Sequence, residues 1–369
     1  MKKFADESKR KTIRIGGLWI FLVLNLVFLF SFVYCKSKKS DQEVVKAWEM
    51  RMDGKVDQAK AMLDSLTEAD PSCAMAWYEL SRTLKHMYWI GEESEEAGQA
   101  VQKACELEPD NVIYAYAFAD NCFLQAFIKM QTGGEGIKEA VAKTCEAFEK
   151  VVELKPDYCI AMMNLVELYG YLPPEMGGDK EKAGAYVEKI KEVDKFYGTK
   201  AQAVFMPEET NWVDYWNNYI AEEGESAKSL KELGAAYIFA DDIENAEKCY
   251  KKIIDLDPTQ NVRLLDLARV RVMKVMQNRD LAEEELPVAV KFIDDFLNSE
   301  PEPVAPLKGW SHGWLSRING LLGNQTESDL HSKLAQAADP YFSQAFGVPG
   351  PFIAPDVLPD QFGSYFSPF

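Results

Sequence analysis

A helical pattern about 34 residues long recurs along most of this chain, and it constrains the fold more than any other feature. Its clearest copy is residues 227–260, where apolar residues return every three or four positions and Asp257-Pro258 closes the unit. This spacing predicts two amphipathic helices in each copy, and proline ends the second because it cannot continue a helix. Helix pairs of this size bury their apolar faces only by stacking on their neighbours.

Further copies precede and follow this unit, and most of them also end in an acidic residue and proline. Residues 195–226 lack the signature but keep the apolar periodicity of helices. We therefore predict an all-α fold, an α-solenoid of helix-turn-helix repeats, over residues 36–342. The predicted units are 40–73, 74–111, 112–158, 159–194, 227–260, 261–302 and, with fewer signature residues, 303–342.

Small and large residues alternate in a fixed order within the unit. In residues 227–260, Gly234 and Ala246 are expected where the two helices cross closely, while Tyr237 and Tyr250 fill the seam between them. With Leu233 and the closing Asp257-Pro258, this arrangement resembles the tetratricopeptide repeat. The resemblance extends over about 300 residues of the chain. It implies a superhelix that binds a protein or peptide on its concave side and needs no cofactor.

The resemblance also implies which residues face that concave side, because the first helix of each pair lines it in tetratricopeptide arrays. Aromatic, methionine and charged side chains together suit an extended peptide or a small polar solute. The Lys and Asn clamp of the subclass that binds chaperone tails is not supported, since Asn164 alone is suitably placed. The candidate partner-binding residues are Tyr78, Glu79, Arg82, Tyr116, Asp120, Met163, Asn164 and Glu167.

The stretch 195–226 contains four aromatic residues at helical spacing: Trp212, Tyr215, Trp216 and Tyr219. Residues three and four positions apart lie on one helix face. We expect this face to pack within the array. Stacking on the ring of a ligand is the alternative.

The N-terminal segment predicts a membrane attachment. Residues 15–34 contain no charge, and twenty helical residues span a hydrocarbon core of roughly 30 Å. More basic residues precede the segment than follow it, which places the tail 1–14 in the cytoplasm and the body outside it, in a bacterial envelope. We favour a retained anchor over residues 15–35. Cleavage before Cys35, a lipidation candidate, is the alternative, and that resembles a lipoprotein signal except that Tyr34 is not small.

The charge is uneven along the chain. The formal net charge is -18. Residues 1–40 contribute +7, so the rest of the chain carries -25. A body this acidic repels phosphate backbones, which argues against nucleic-acid binding.

The sequence gives no support for catalysis. Motifs of metalloproteases, P-loop enzymes and serine hydrolases are missing, and the cysteines show no metal-ligand spacing. The chain has three histidines, His86, His312 and His331, and none of them belongs to such a motif. We expect no enzyme activity, no catalytic residue, no metal and no cofactor.

The run LPPEMGGDKEKA at 172–183 gives a second hypothesis. Pro173 and Pro174 end one helix, Gly177-Gly178 permit a tight turn, and Asp179 can cap the next helix. The run resembles one in the periplasmic T-component of TRAP solute transporters. That resemblance implies an accessory role in solute capture.

The last predicted segment is the tail 343–369. Its final 25 residues contain five prolines and six aromatic residues, which prevents a helix and disfavours a freely solvated chain. We expect the tail to lie extended along the solenoid. Docking of the tail on a partner is the alternative.

Overall fold

The computed structural model describes residues 40–87 and 93–341, and it forms helices connected by short turns, with no strand in these two ranges. The predicted membrane segment, Cys35 and the C-terminal tail lie outside the described residues. None of the helices within the two ranges combines the length and apolar character that a bilayer crossing needs.

Sixteen α-helices are assigned within the described residues, and we number them α1 to α16 along the chain. The helix α1 covers residues 40–52. The others are α2 Val56–Ala69, α3 Ala74–Met87, α4 Glu93–Leu107, α5 Val112–Thr132, α6 Ile137–Leu154, α7 Cys159–Tyr171, α8 Lys180–Val193, α9 Lys195–Gln202, α10 Trp212–Glu223, α11 Ala227–Phe239, α12 Ile243–Leu256, α13 Arg263–Gln277, α14 Ala282–Leu297, α15 Ala305–Leu321 and α16 Gln325–Ala338.

Successive helices form hairpins that coincide with the predicted repeat units. The pairs α3/α4, α5/α6, α7/α8, α11/α12, α13/α14 and α15/α16 pack most extensively on each other and less on the next pair. This is the stacking expected when each unit completes its core with its neighbours. Residues 195–226 also fold as helices, α9 and α10, as predicted. The prediction of an all-helical repeat array is therefore confirmed for the described residues.

The hairpin α11/α12 shows why the unit needs small residues. A Cβ added at Gly234 would lie 2.4 Å from Cε1 of Tyr250. Ala246 is fully buried at the same crossing. The aromatic ring therefore occupies the space where a larger residue in α11 would stand, and the two helices approach closely.

The turn between α7 and α8 has the local structure expected from its sequence. Gly177 has a φ of +98°, and a Cβ at Gly178 would lie 1.7 Å from the carbonyl oxygen of Leu172. Asp179 caps α8 by accepting hydrogen bonds from the amides of Glu181 and Lys182. Because the free amides at the start of α8 are satisfied in this way, the turn has a complete structural explanation.

The two ends of the array meet. Gly54, in the turn after α1, lies against the end of α16 so closely that an added Cβ would be 1.9 Å from the carbonyl oxygen of Ala338. The buried Nε2–H of His86 in α3 donates to the carboxylate of Asp339, 253 residues away, at 2.7 Å. The hydroxyl of Tyr341 donates to Asp57 of α2 at 2.5 Å. The first and last hairpins are thus in direct contact, and we call this contact the closing junction.

Candidate functional site

Most of the predicted partner-binding residues fall on one repeated ridge of the first helices. The ridge consists of the fifth, ninth and thirteenth residues of each helix, which share a face because they are four positions apart. In α7 these residues are Met163, Glu167 and Tyr171. The thirteenth residue of α11 is Phe239. The equivalent residues are Tyr78, Arg82 and His86 in α3 and Tyr116, Asp120 and Leu124 in α5.

The ridge is buried in α3. Glu79, one position along from Tyr78, is fully buried and accepts a hydrogen bond from Nε of Arg51 at 2.7 Å. Arg82 forms an ion pair with the same carboxylate at 3.2 Å, and its guanidinium lies 5.3 Å from the ring centre of Tyr78. These side chains join α1 to α3 beside the closing junction. They therefore offer a partner little surface, and their predicted role in binding stays a prediction.

In α5 and the start of α7, the ridge is partly accessible. The ring centres of Tyr116 and Tyr158 lie 5.2 Å apart. Burial raises the pKa of the Tyr116 hydroxyl, and a hydrogen bond with Asn164 has a smaller effect in the opposite direction. Asp120 is exposed and pairs with Nζ of Lys85 at 3.1 Å. The structure thus brings Tyr116 and Asn164 together and leaves the carboxylate of Asp120 at the surface.

The ridge opens into a cavity between α7, α9, α10 and α11. Its volume is about 280 Å³. Met163 and Trp216 line its buried base, while Tyr171 and Phe239 stand at its edge with 68% and 81% of their surfaces exposed. Trp212 forms part of the wall. Single exposed rings are common on protein surfaces, but exposed rings grouped at the edge of a cavity are typical of binding sites.

Three charged groups lie in this cavity. Nζ of Lys200 in α9 forms an ion pair with Glu232 of α11 at 2.6 Å. Glu167 of α7 lines the same cavity, and its side chain is exposed to solvent. Partial desolvation by the cavity walls raises the pKa of its carboxyl, with a smaller opposing effect from Lys200 and a further increase from Glu232. Two carboxyl groups and one ammonium therefore leave the cavity with one excess negative charge when all are ionised.

Sequence reasoning found part of this cavity. It selected Met163 and Glu167 but missed Tyr171 and Phe239, which continue the same ridge by one more turn. The four aromatic residues of α10 pack together as predicted: Trp212 lies 5.6 Å from Tyr215, and the ring of Trp216 lies 5.8 Å from that of Tyr219. Two members of this aromatic face, Trp212 and the buried Trp216, line the cavity.

No arrangement of metal ligands accompanies the cavity. Across the ranges 40–87 and 93–341, no three residues among His, Cys, Asp and Glu form a group that could hold a metal ion. The six cysteines of these ranges are free thiols, and burial raises the pKa of Cys105 to about 12. A thiol with so high a pKa is a poor nucleophile.

Comparison with solved structures finds helical repeat proteins. A tetratricopeptide repeat protein from Parabacteroides merdae is 14% identical, with 78% of this chain and 99% of that chain covered and a TM-score of 0.39. A thermophilic repeat protein from Thermus thermophilus is 13% identical over 64% of this chain and 99% of that chain, with a TM-score of 0.38. YrrB, a repeat protein with an unusual peptide-binding site, is 17% identical over 58% of this chain and 85% of that chain, with a TM-score of 0.30.

Comparison at the level of sequence gives one result. No curated protein is significantly similar to this chain. The family model of the tetratricopeptide repeat matches residues 227–260, which form the hairpin α11/α12 and supply Glu232 and Phe239 to the cavity. Residues 227–260 are therefore a tetratricopeptide repeat, and this unit lies within an array of helical hairpins.

Proposed function

We propose that this protein is a membrane-anchored scaffold that binds another protein outside the cytoplasm, through an extended segment laid across the ridge. The observation that carries the proposal is the pair of exposed rings, Tyr171 and Phe239, at the edge of an open cavity. Aromatic residues beside a pocket are typical of the few positions that dominate binding energy. Burying each ring would contribute about 1.5–3 kcal/mol.

The position of the rings favours an extended partner. Tyr171 and Phe239 occupy the same place in two different hairpins, with the cavity between α7 and α11. A segment that contacts both rings must therefore run along the direction in which the hairpins stack. Main-chain groups of an extended segment can then meet the polar residues of the ridge, such as Asp120.

The transport alternative has no support from the comparisons. Pockets that enclose a small molecule typically hold about 300–1,000 Å³. The cavity holds about 280 Å³ and is open on one side. Pockets for small molecules bury most of the ligand's surface, and the open side of this cavity would leave much of a solute in water. The open shape therefore suits one side chain of a larger partner better than a whole solute.

Membrane attachment and location rest on the uncharged segment 15–34 and the basic residues before it. Proteinase K added to spheroplasts tests them. We expect the body of the chain to be degraded without lysis and the N-terminal tail to be protected. Protection of the body until lysis would contradict this location.

Selection from a displayed library of random dodecapeptides, on the full-length protein in detergent, tests the binding function. We expect peptides to be enriched, and we expect the double variant Tyr171→Ala/Phe239→Ala to bind them at least about tenfold more weakly, since each 1.4 kcal/mol is tenfold. The control is Val193→Ala/Leu256→Ala, which removes exposed apolar residues from the ends of α8 and α12. Failure to enrich any peptide, or equal loss in both double variants, would refute the proposed ridge.

A further inference from the structure

We infer that the cavity between α7, α9, α10 and α11 binds one cationic side chain, that of a lysine or an arginine in the bound segment. This inference rests on the proposed function and names the chemistry that the ridge recognises. Three properties of the cavity carry it: the space, the aromatic walls and the charge balance.

The walls suit a cation. Tyr171, Trp212 and Phe239 surround the opening with aromatic rings from three different elements. The face of an aromatic ring carries partial negative charge and attracts ammonium and guanidinium groups within about 6 Å. The protein already has such a contact between α9 and α11, since Nζ of Lys228 lies 4.7 Å from the ring centre of Tyr197. A methylene chain can pass between the rings while its charged end reaches the cavity.

The charges of the cavity favour a cation over an anion. Glu232 is already neutralised by Lys200 at 2.6 Å. Glu167 lines the same cavity with an exposed side chain and forms no ion pair within the described residues, so its carboxylate can contact an incoming group. An incoming ammonium or guanidinium would supply the missing charge, whereas a carboxylate would add repulsion. A neutral apolar side chain would remove water from Glu167 without compensation.

The position of Glu167 also limits the cavity to one charge. Because Lys200 of α9 and Glu232 of α11 form an ion pair with each other, the carboxylate of Glu167 is left for the ligand. The volume of about 280 Å³ is sufficient for one lysine or arginine side chain.

Pools of synthetic decapeptides, random except at one fixed position, test this inference on the full-length protein in detergent. The fixed residue is lysine, arginine, norleucine, citrulline or glutamate. Norleucine and citrulline keep the approximate length of lysine and arginine without the charge. We expect the lysine and arginine pools to bind about tenfold or more tightly than their neutral counterparts, and we expect the glutamate pool to bind most weakly.

The variant Glu167→Gln identifies the site. We expect it to abolish the preference for lysine and arginine and to leave binding of the norleucine pool unchanged, which also shows that the variant is folded. Glu153→Gln is the matched control, because it removes a carboxylate from an exposed position of α6. It should keep the preference.

The outcomes separate the two proposals. Peptide binding without a preference for cations, or a preference that Glu167→Gln does not change, would overturn the cationic site and leave the binding function intact. The absence of binding to every pool would overturn both.

Discussion

Replacing Gly54 by alanine tests whether the closing junction holds the two ends of the array together. Gly54 has a φ of +74°, in the region that L-residues rarely adopt. A side chain there costs about 1–2 kcal/mol from backbone strain alone. The new Cβ would also stand 1.9 Å from the carbonyl oxygen of Ala338, which is far inside van der Waals contact. The last hairpin must therefore move away from the first.

The free energy lost when the hairpins move apart cannot exceed the contribution of the closing junction to stability. Its buried contact is the hydrogen bond between His86 and Asp339 at 2.7 Å, with both side chains fully buried. A hydrogen bond to a charged group contributes about 1.5–3 kcal/mol. Together with backbone strain, we expect Gly54→Ala to lower the free energy of unfolding by about 2.5–5 kcal/mol.

Gly133 provides the control. It has nearly the same backbone, with a φ of +66°, but no described atom lies within 4 Å of the position of its Cβ. Gly133→Ala should therefore lose only the 1–2 kcal/mol or so of strain. Urea unfolding followed by circular dichroism measures both losses. Amide hydrogen exchange over α16 should accelerate in Gly54→Ala alone. Equal losses, with unchanged exchange in α16, would show that the junction contributes nothing to stability.

Three further predictions concern single side chains. Burial, together with the neighbouring positive charges of His331 and Lys308, lowers the pKa of His312 from 6.5 to about 4. The unfolded chain therefore binds a proton at this histidine more readily than the folded chain does. Stability that is present above pH 6.5 should then be lost as the pH falls toward 4. Urea unfolding between pH 7 and 4 should show a shallower decline for His312→Gln. Gly234→Ala should destabilise the protein by about 1–3 kcal/mol through overpacking against Tyr250, and the double variant with Tyr250→Leu should recover part of the loss in the same assay. Asp179→Ala removes the cap of α8 and should cost about 1 kcal/mol, whereas Asp179→Asn should cost much less.

Much of the fold could be predicted from sequence because its determinants are local. Each hairpin is specified by the spacing of apolar residues, by small residues at crossings such as Gly234, and by turns such as Asp257-Pro258. The closing junction could not be predicted in this way. It joins residues 253 and 284 positions apart, and nothing in the pattern around His86 or Asp57 indicates a partner at the other end of the chain.

The candidate site shows the same limit. Helical periodicity identifies the ridge, and Met163 and Glu167 were found because they follow it. Periodicity does not indicate what covers a ridge, so the buried side chains of Tyr78 and Arg82 could not be distinguished from those that line the cavity. Tyr171 could have been found by extending the same four-residue spacing one step further. Lys200 could not, because residues 195–226 have no repeat signature to align.

Contact between the first and last hairpins has a consequence for how such a chain can evolve. In an open array, duplication or deletion of one unit changes the length and little else, because every unit interacts only with those beside it. Here an added hairpin would separate Gly54 from Ala338, and deletion of a hairpin would also break the contact between these two residues. Adding or deleting a unit would therefore break the closing junction, whereas substitutions and changes in the loops between helices leave it intact.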